Sequence, residues 1–195
     1  MKIESPDNDY DDLEQVKREL QVFIHQKEDW QSPPCPNCKN HNTQTCGPTC
    51  EDAATSLSID PVLYPIERNV IAIVYELNAT RLLKTCWSCE GHMRDGDDNL
   101  WKVPQVCFYS KTAIYPKLVS SYLGKLYIHK RLKYNWSIVL SDISQSIYPT
   151  YCLRPDLNTV NEPSLGQLQN DLKAISDKLH TQLKLEAKIL LDSIA

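Results

Sequence analysis

The stretch Arg81–His92, RLLKTCWSCEGH, decides the fold because it joins a structural signal to a chemical one. Its first half, RLLKTC, is a short apolar run, which predicts a β-strand. Its second half, CWSCEGH, places two cysteines and a histidine in a turn at the end of that strand. Loops at strand ends commonly carry functional groups. We therefore expect a sheet whose first strand leads into a functional turn.

Helices and further strands surround this segment. Before it, YPIERNVIAIVYELNA predicts a helix, because Pro65 suits the first helical position and an apolar stripe follows. After it, QVCFYS, NWSIVLSD and PTYCLRP predict three more strands, and a helix over Tyr115–Arg131 separates the first two of them. The order helix, strand, strand, helix, strand, strand, helix predicts an α+β fold.

The connections predict how the strands pair. QVCFYS and NWSIVLSD are joined through a helix, so we expect them to be parallel neighbours with a right-handed crossover. The joins on either side resemble hairpins and predict antiparallel neighbours. The expected domain is a mixed four-stranded sheet with helices packed on it.

Amphipathic helices are predicted near both ends of the chain. Asp11–Trp30 carries apolar residues at helical spacing, and Ser164–Ala195 begins with a capping box formed by Ser164 and Gln167. The long C-terminal helix is expected to wrap the domain or to pair with Asp11–Trp30, and either helix could mediate a homodimer. The predicted organisation is a disordered acidic tail over 1–10, a helix and cysteine loop over 11–60, and the α+β domain over 61–195.

Bulk composition limits the classes of function. The chain has 195 residues, a net charge of −4, and an ordinary 42% of hydrophobic residues. A mildly acidic chain gives no strong signal for nucleic-acid binding. With only five glycines, it shows no phosphate-binding loop. The start of the chain lacks a signal-peptide pattern and no apolar run reaches membrane-spanning length, so we expect a cytoplasmic protein.

Eight cysteines in an expected reducing compartment favour metal binding or reactivity over disulfides. Four of them fall in the polar stretch CPNCKNHNTQTCGPTC: Cys35, Cys38, Cys46 and Cys50. Their spacing can close a tetrahedral zinc site, and His41 could replace one ligand. Zinc would supply roughly 10 kcal/mol or more of ordering free energy to a segment without a core. Unligated cysteines, an iron–sulfur site and a redox pair are weaker alternatives.

The second group is Cys86, Cys89 and His92, with Glu90 beside them. Gly91 allows a backbone conformation that lets Cys89 and His92 face one pocket. Three ligands and an open position would make a catalytic zinc centre, and a Cys–His pair could instead form an activated nucleophile. We take Cys89, His92 and Glu90 as the candidate catalytic residues.

Three further interpretations stay open at this stage. One zinc could be shared by Cys35, Cys38, Cys86 and Cys89. Asp97 could supply the supporting carboxylate in place of Glu90. The remaining cysteines, Cys107 and Cys152, lie in predicted strands and are expected to be buried core residues.

A resemblance enters at these residues. The run YELNATRLLKTCWSCEGH resembles a pattern in poorly characterised bacterial and phage proteins, a helix and strand followed by Thr-x-x-Ser-Cys-x-Gly-His. The matching positions are Thr85, Ser88, Cys89, Gly91 and His92, whereas Cys86 occupies a variable position. The run is more loosely similar to the tRNA wybutosine-synthesising methyltransferase family, which has arginine where this chain has His92. The resemblance covers about twenty residues and implies a functional turn.

The sequence supports an intracellular zinc-binding protein with a structural zinc in Cys35–Cys50. The SCEGH turn would then bind a protein or small-molecule ligand. The alternative is an enzyme, a hydrolase, transferase or RNA-modifying protein, that uses Cys89 and His92. A third hypothesis makes both clusters structural and leaves binding to the terminal helices.

Overall fold

The computed structural model describes residues 10–26, 58, 60, 62–96, 99–141, 147–158 and 160–194. The α-helices in these ranges are α1 (Tyr10–His25), α2 (Ile71–Ala79), α3 (Ile114–Ile128), α4 (Leu165–Ser176) and α5 (Leu179–Ser193). The strands are β1 (Leu83–Cys89), β2 (His92–Met93), β3 (Leu100–Lys102), β4 (Gln105–Ser110), β5 (Asn135–Ser141) and β6 (Thr150–Asp156). A 3-10 turn, Arg68–Val70, leads into α2.

Four strands form one sheet in the order β1-β4-β6-β5, and every neighbouring pair is antiparallel. The α+β class is confirmed, but the predicted parallel pairing of β4 with β5, and with it the mixed sheet, is wrong. The two strands do run in the same direction, but β6 lies between them and pairs with both. Burial explains the order, because Leu153 of β6 is fully buried at the centre whereas Leu140 of β5 is 72% exposed at the edge.

The two faces of the sheet have different partners. Side chains on one face enter the hydrophobic core together with residues of α2 and α3; they include Leu83, Val106, Phe108, Trp136 and Leu153. Alternation along the strands directs Cys107 and Cys152 to the opposite face. Both thiols are buried, which confirms the predicted burial of these two cysteines.

The terminal helices complete the core. Leu20 and Phe23 of α1 are buried in it, and the Phe23 ring lies 6.0 Å from the His180 ring of α5. The predicted single C-terminal helix is interrupted, because Lys178 adopts a left-handed conformation with φ of 57° between α4 and α5. Half of the predicted capping box is confirmed, since Ser164 Oγ accepts a hydrogen bond from the Gln167 N–H. The other half is wrong, because the Ser164 N–H donates to Tyr134 Oη and not to the Gln167 side chain.

A buried carboxylate fastens α4 to the start of β5. Asp171 accepts hydrogen bonds from the backbone N–H groups of Lys133 and Tyr134, both at 2.9 Å. It also accepts the indole N–H of Trp136 at 3.0 Å. Three donors converge on one buried anion, which satisfies its hydrogen-bonding capacity away from water.

Two sets of predictions lie outside the described residues. They concern the acidic tail up to residue 9 and the zinc loop with Cys35, Cys38, Cys46 and Cys50. Within the described ranges, no helix combines the length and apolar character needed to cross a membrane.

Candidate metal centre

Cys86 and Cys89 both lie within β1, so the prediction that they belong to a turn is wrong, and only Glu90 and Gly91 connect β1 to β2. A bulge in β1 separates the two cysteines. The register between β1 and β4 shifts between Thr85 and Trp87, so Cys86 and Trp87 both lie near Cys107. Cys86 is exposed, whereas Cys89, at the end of the strand, is only 4% exposed. The structure therefore places Cys86 in a separate groove and leaves Cys89 with His92.

Gly91 makes the turn between Cys89 and His92 tight. Its φ is 85°, and a Cβ at this position would lie 2.6 Å from Leu165 Cδ1 and 2.7 Å from Pro104 Cδ. Only a glycine accommodates both the backbone conformation and the close packing of α4 and Pro104. The chain then enters β2, so that His92 pairs with Lys102 of β3. The two strands form a short antiparallel pair beside the four-stranded sheet.

The third member of the cluster is Glu67, which the sequence analysis did not single out. Ligand atoms of Glu67, Cys89 and His92 all lie within 4.8 Å of one another. His92 Nε2 is 2.9 Å from Glu67 Oε1. Glu67 was predicted to lie inside a helix, but it lies in extended backbone just before the 3-10 turn. No local pattern marks it, because the contact is made only when the chain folds back on itself.

Glu90 holds Glu67 in place. The Glu90 backbone N–H donates to Glu67 Oε2 at 2.6 Å, while Glu90 Oε2 accepts the Asn69 N–H at 2.8 Å. The Gln169 side chain of α4 donates to the Glu90 carbonyl at 3.1 Å. The carboxylate of the cluster is therefore that of Glu67, and Glu90 ties the turn to the start of α2 and to α4.

The charges around Cys89 favour its neutral thiol. Burial raises the pKa of Cys89 above its ordinary value, and the carboxylates of Glu67 and Glu90 add to this effect. The Gly91 N–H and the Lys102 ammonium group act in the opposite direction. Because desolvation is the largest effect, the thiol keeps its proton unless a cation replaces it.

An open cavity of about 390 Å³ adjoins His92. Its lining residues are His92, Met93, Arg94, Asp95 and Trp101. The Trp101 ring lies 6.5 Å from the His92 ring, and the Lys102 ammonium group lies 4.4 Å from the Trp101 ring centre. A ligand in this cavity would meet an aromatic surface and charges of both signs beside the cluster. Asp97, the other carboxylate considered from the sequence, lies outside the described residues.

Comparisons with known proteins identify no relative of this chain. No family model, curated protein or solved structure matches the chain. The geometry of Glu67, Cys89 and His92 and the cavity beside them are the features that point to a function.

Proposed function

We propose that this chain binds a zinc ion through Glu67, Cys89 and His92 and presents it to a small-molecule or protein ligand. The observation that carries the proposal is the convergence of a carboxylate, a thiol and an imidazole within 4.8 Å. The cavity that His92 shares with Trp101 gives the ligand access to the ion.

The donor set selects the metal. Oxygen, sulfur and nitrogen donors of these types are all zinc ligands, whereas a thiolate disfavours magnesium and calcium. Three protein ligands leave a fourth position for water or an exogenous ligand. The hydrogen bond from the Glu90 N–H to Glu67 would orient the liganding carboxylate in the way that outer-shell contacts do at zinc sites.

The raised pKa of Cys89 favours a role as a metal ligand over a role as a covalent nucleophile. A nucleophilic cysteine needs a lowered pKa, but burial raises the pKa of Cys89. If the chain is an enzyme, as the alternative hypothesis holds, the better-supported chemistry is activation of a zinc-bound water.

A second, structural zinc on Cys35, Cys38, Cys46 and Cys50 is also part of the proposal. It is supported by the spacing of four cysteines in a polar segment that lacks apolar residues for a core. Both sites need reduced thiols, which the cytoplasmic location expected from the start of the sequence would provide.

The test is the zinc content of purified full-length variants, measured by elemental analysis. We expect two zinc ions per chain in the natural protein. Cys38→Ser should lose the structural ion, and His92→Ala should lose the ion of the Glu67 cluster. Cobalt substitution gives an independent readout, because thiolate-to-cobalt absorption should weaken when Cys89 is replaced with serine.

Cys86→Ser is the matched control. This cysteine lies on the same strand as Cys89 but outside the cluster, so its replacement should leave the zinc content and the cobalt spectrum unchanged. Zinc content that is unaffected by both Cys89→Ser and His92→Ala, in variants with a native circular dichroism spectrum, would contradict the proposal.

A further inference from the structure

A second thiol cluster lies away from the zinc cluster, on the sheet face opposite the core. Cys107 of β4 and Cys152 of β6 are directly opposite each other in neighbouring antiparallel strands. They line an open groove of about 600 Å³ together with Cys86, Trp87, Tyr109 and Arg154. The proposed zinc function uses none of these side chains.

The strand pairing brings the two sulfur atoms into reach of each other. Directly opposite residues in an antiparallel pair have Cα atoms about 4.5–5.5 Å apart, whichever type of pair they form. Disulfides span Cα distances of about 4.4–6.8 Å, so a bridge needs little backbone movement. The side chains of an opposite pair also project to the same face, where the Cys152 thiol donates a hydrogen bond to Gln105 Oε1 at 3.5 Å.

The two sulfurs have unequal surroundings. The interaction with the Cys107 thiol and the nearby Arg154 guanidinium lower the pKa of Cys152 against the opposing effect of burial. The same interaction, burial and the negative charge that develops on Cys152 and Cys86 raise the pKa of Cys107. Cys152, with Arg154 beside it in the groove, is therefore the more acidic thiol of the pair and the better candidate for the attacking cysteine.

We propose that Cys152 and Cys107 form a peroxide-reactive pair that closes a disulfide between β6 and β4. The Cys152 thiolate attacks one oxygen of a hydroperoxide, forming a sulfur–oxygen bond and breaking the oxygen–oxygen bond. The other oxygen leaves as hydroxide, or as an alkoxide from an organic hydroperoxide, and takes up a proton. The sulfur is oxidised by two electrons to a sulfenic acid, and the peroxide is reduced.

The second step consumes the sulfenic acid. The Cys107 sulfur attacks the oxidised Cys152 sulfur, forming the disulfide and breaking the sulfur–oxygen bond. The hydroxide that leaves combines with the proton from Cys107 to form water. With hydrogen peroxide, two thiols and one peroxide yield one disulfide and two waters. Cys86, exposed at the groove's rim, is the competing thiol that a test has to separate from the pair.

The test uses the reduced full-length protein, hydrogen peroxide at near-stoichiometric concentration, and mapping of alkylated peptides by mass spectrometry without reduction. We expect a linked pair of peptides containing Cys107 and Cys152. In Cys107→Ser, dimedone should trap a sulfenic acid on Cys152, and in Cys86→Ser the disulfide should still form.

Arg154→Gln should slow disulfide formation roughly threefold or more. Lys111→Gln, an exposed cation outside the groove, is the matched control and should leave the rate unchanged.

Three results would overturn the proposal. The first is dimedone labelling that falls on Cys86 and not on Cys152. The second is a Cys107–Cys152 disulfide that forms no faster in the folded protein than in urea. The third is a bridge from Cys152 to one of the other cysteines in place of Cys107. The natural sequence and the Arg154 variant retain both thiols, so these outcomes remain readable even if a cysteine variant fails to fold.

Discussion

His92 Nε2 and Glu67 Oε1 lie 2.9 Å apart, and this contact joins the segment before α2 to the hairpin after β1. The two side chains are partly exposed, at 38% and 31%, whereas Cys89 behind them is buried. A metal ion could therefore enter from the solvent side and replace the hydrogen bond between them. This contact keeps two of the three proposed zinc ligands next to each other.

Replacing Glu67 with glutamine should weaken zinc binding at this cluster by at least about tenfold, because a neutral amide replaces an anionic ligand. A competition titration with a chromophoric chelator measures the change. Glu90→Gln is the matched control, since its carboxylate contacts the Asn69 N–H and lies outside the cluster. A larger loss in Glu90→Gln than in Glu67→Gln would contradict the assignment of the ligands.

Gly91→Ala should lower the free energy of unfolding by about 2–4 kcal/mol. The added Cβ meets Leu165 and Pro104 below contact distance, and the positive φ is strained for alanine. Urea unfolding measures the loss, and zinc binding should weaken with it because the turn positions Cys89 and His92.

Gly96→Ala separates these two effects. Gly96 has a φ of 73°, but among the described residues an added Cβ has no neighbour within 4 Å. Its replacement should therefore cost only the backbone strain, about 1 kcal/mol. Equal losses of unfolding free energy in the two variants would show that the close packing around Gly91 does not contribute to stability.

Asp171→Ala should destabilise the fold by about 3 kcal/mol or more. The substitution leaves the N–H groups of Lys133 and Tyr134 and the indole N–H of Trp136 without their acceptor in a buried environment. Thermal or urea unfolding measures the effect. The control is Asp177→Ala on the same helix–helix segment, whose exposed ion pair with Arg131 should contribute less than about 1 kcal/mol.

Glu76→Gln should stabilise the protein at neutral pH. Desolvation raises the pKa of Glu76 above 4.5, and the Asp177 charge adds to this, although the His180 N–H opposes it. A raised pKa in the folded state means that stability is highest below the unfolded value and falls as pH rises through the folded one. The glutamine amide does not ionise, so the variant does not lose this stability as the pH rises.

The advantage of Glu76→Gln over the natural protein should accordingly be larger at pH 7 than near pH 4, where Glu76 is largely protonated. Urea unfolding of both proteins at the two pH values gives the difference directly. An advantage that grows as the pH falls would contradict the raised pKa.

The local features of this chain were readable from its sequence. The first strand of the sheet, the bond from the Gln167 N–H to Ser164 and the burial of Cys107 and Cys152 each depend on neighbouring residues, which patterns report well. The end of that strand was predicted too early, because it continues through Cys89. Gly91 was also predictable, because a glycine between two candidate ligands suggests a conformation that other residues resist.

The features that the sequence did not predict correctly depend on contacts between residues that are far apart in the chain. The insertion of β6 between β4 and β5 follows from the relative burial of whole strands, which a run of residues does not encode. The interruption at Lys178 has no glycine or proline to mark it. Glu67 joins the cluster only because α2 returns the chain to the sheet, so its neighbour His92 could not be inferred from spacing.

The pairing of α1 with α5 affects how the protein is made. Phe23 is translated well before its neighbour His180, on the order of ten seconds earlier at usual elongation rates. During that interval the apolar face of α1 has no native partner on α5. Until α5 has been translated, that apolar face is exposed to the kind of contact that chaperones prevent.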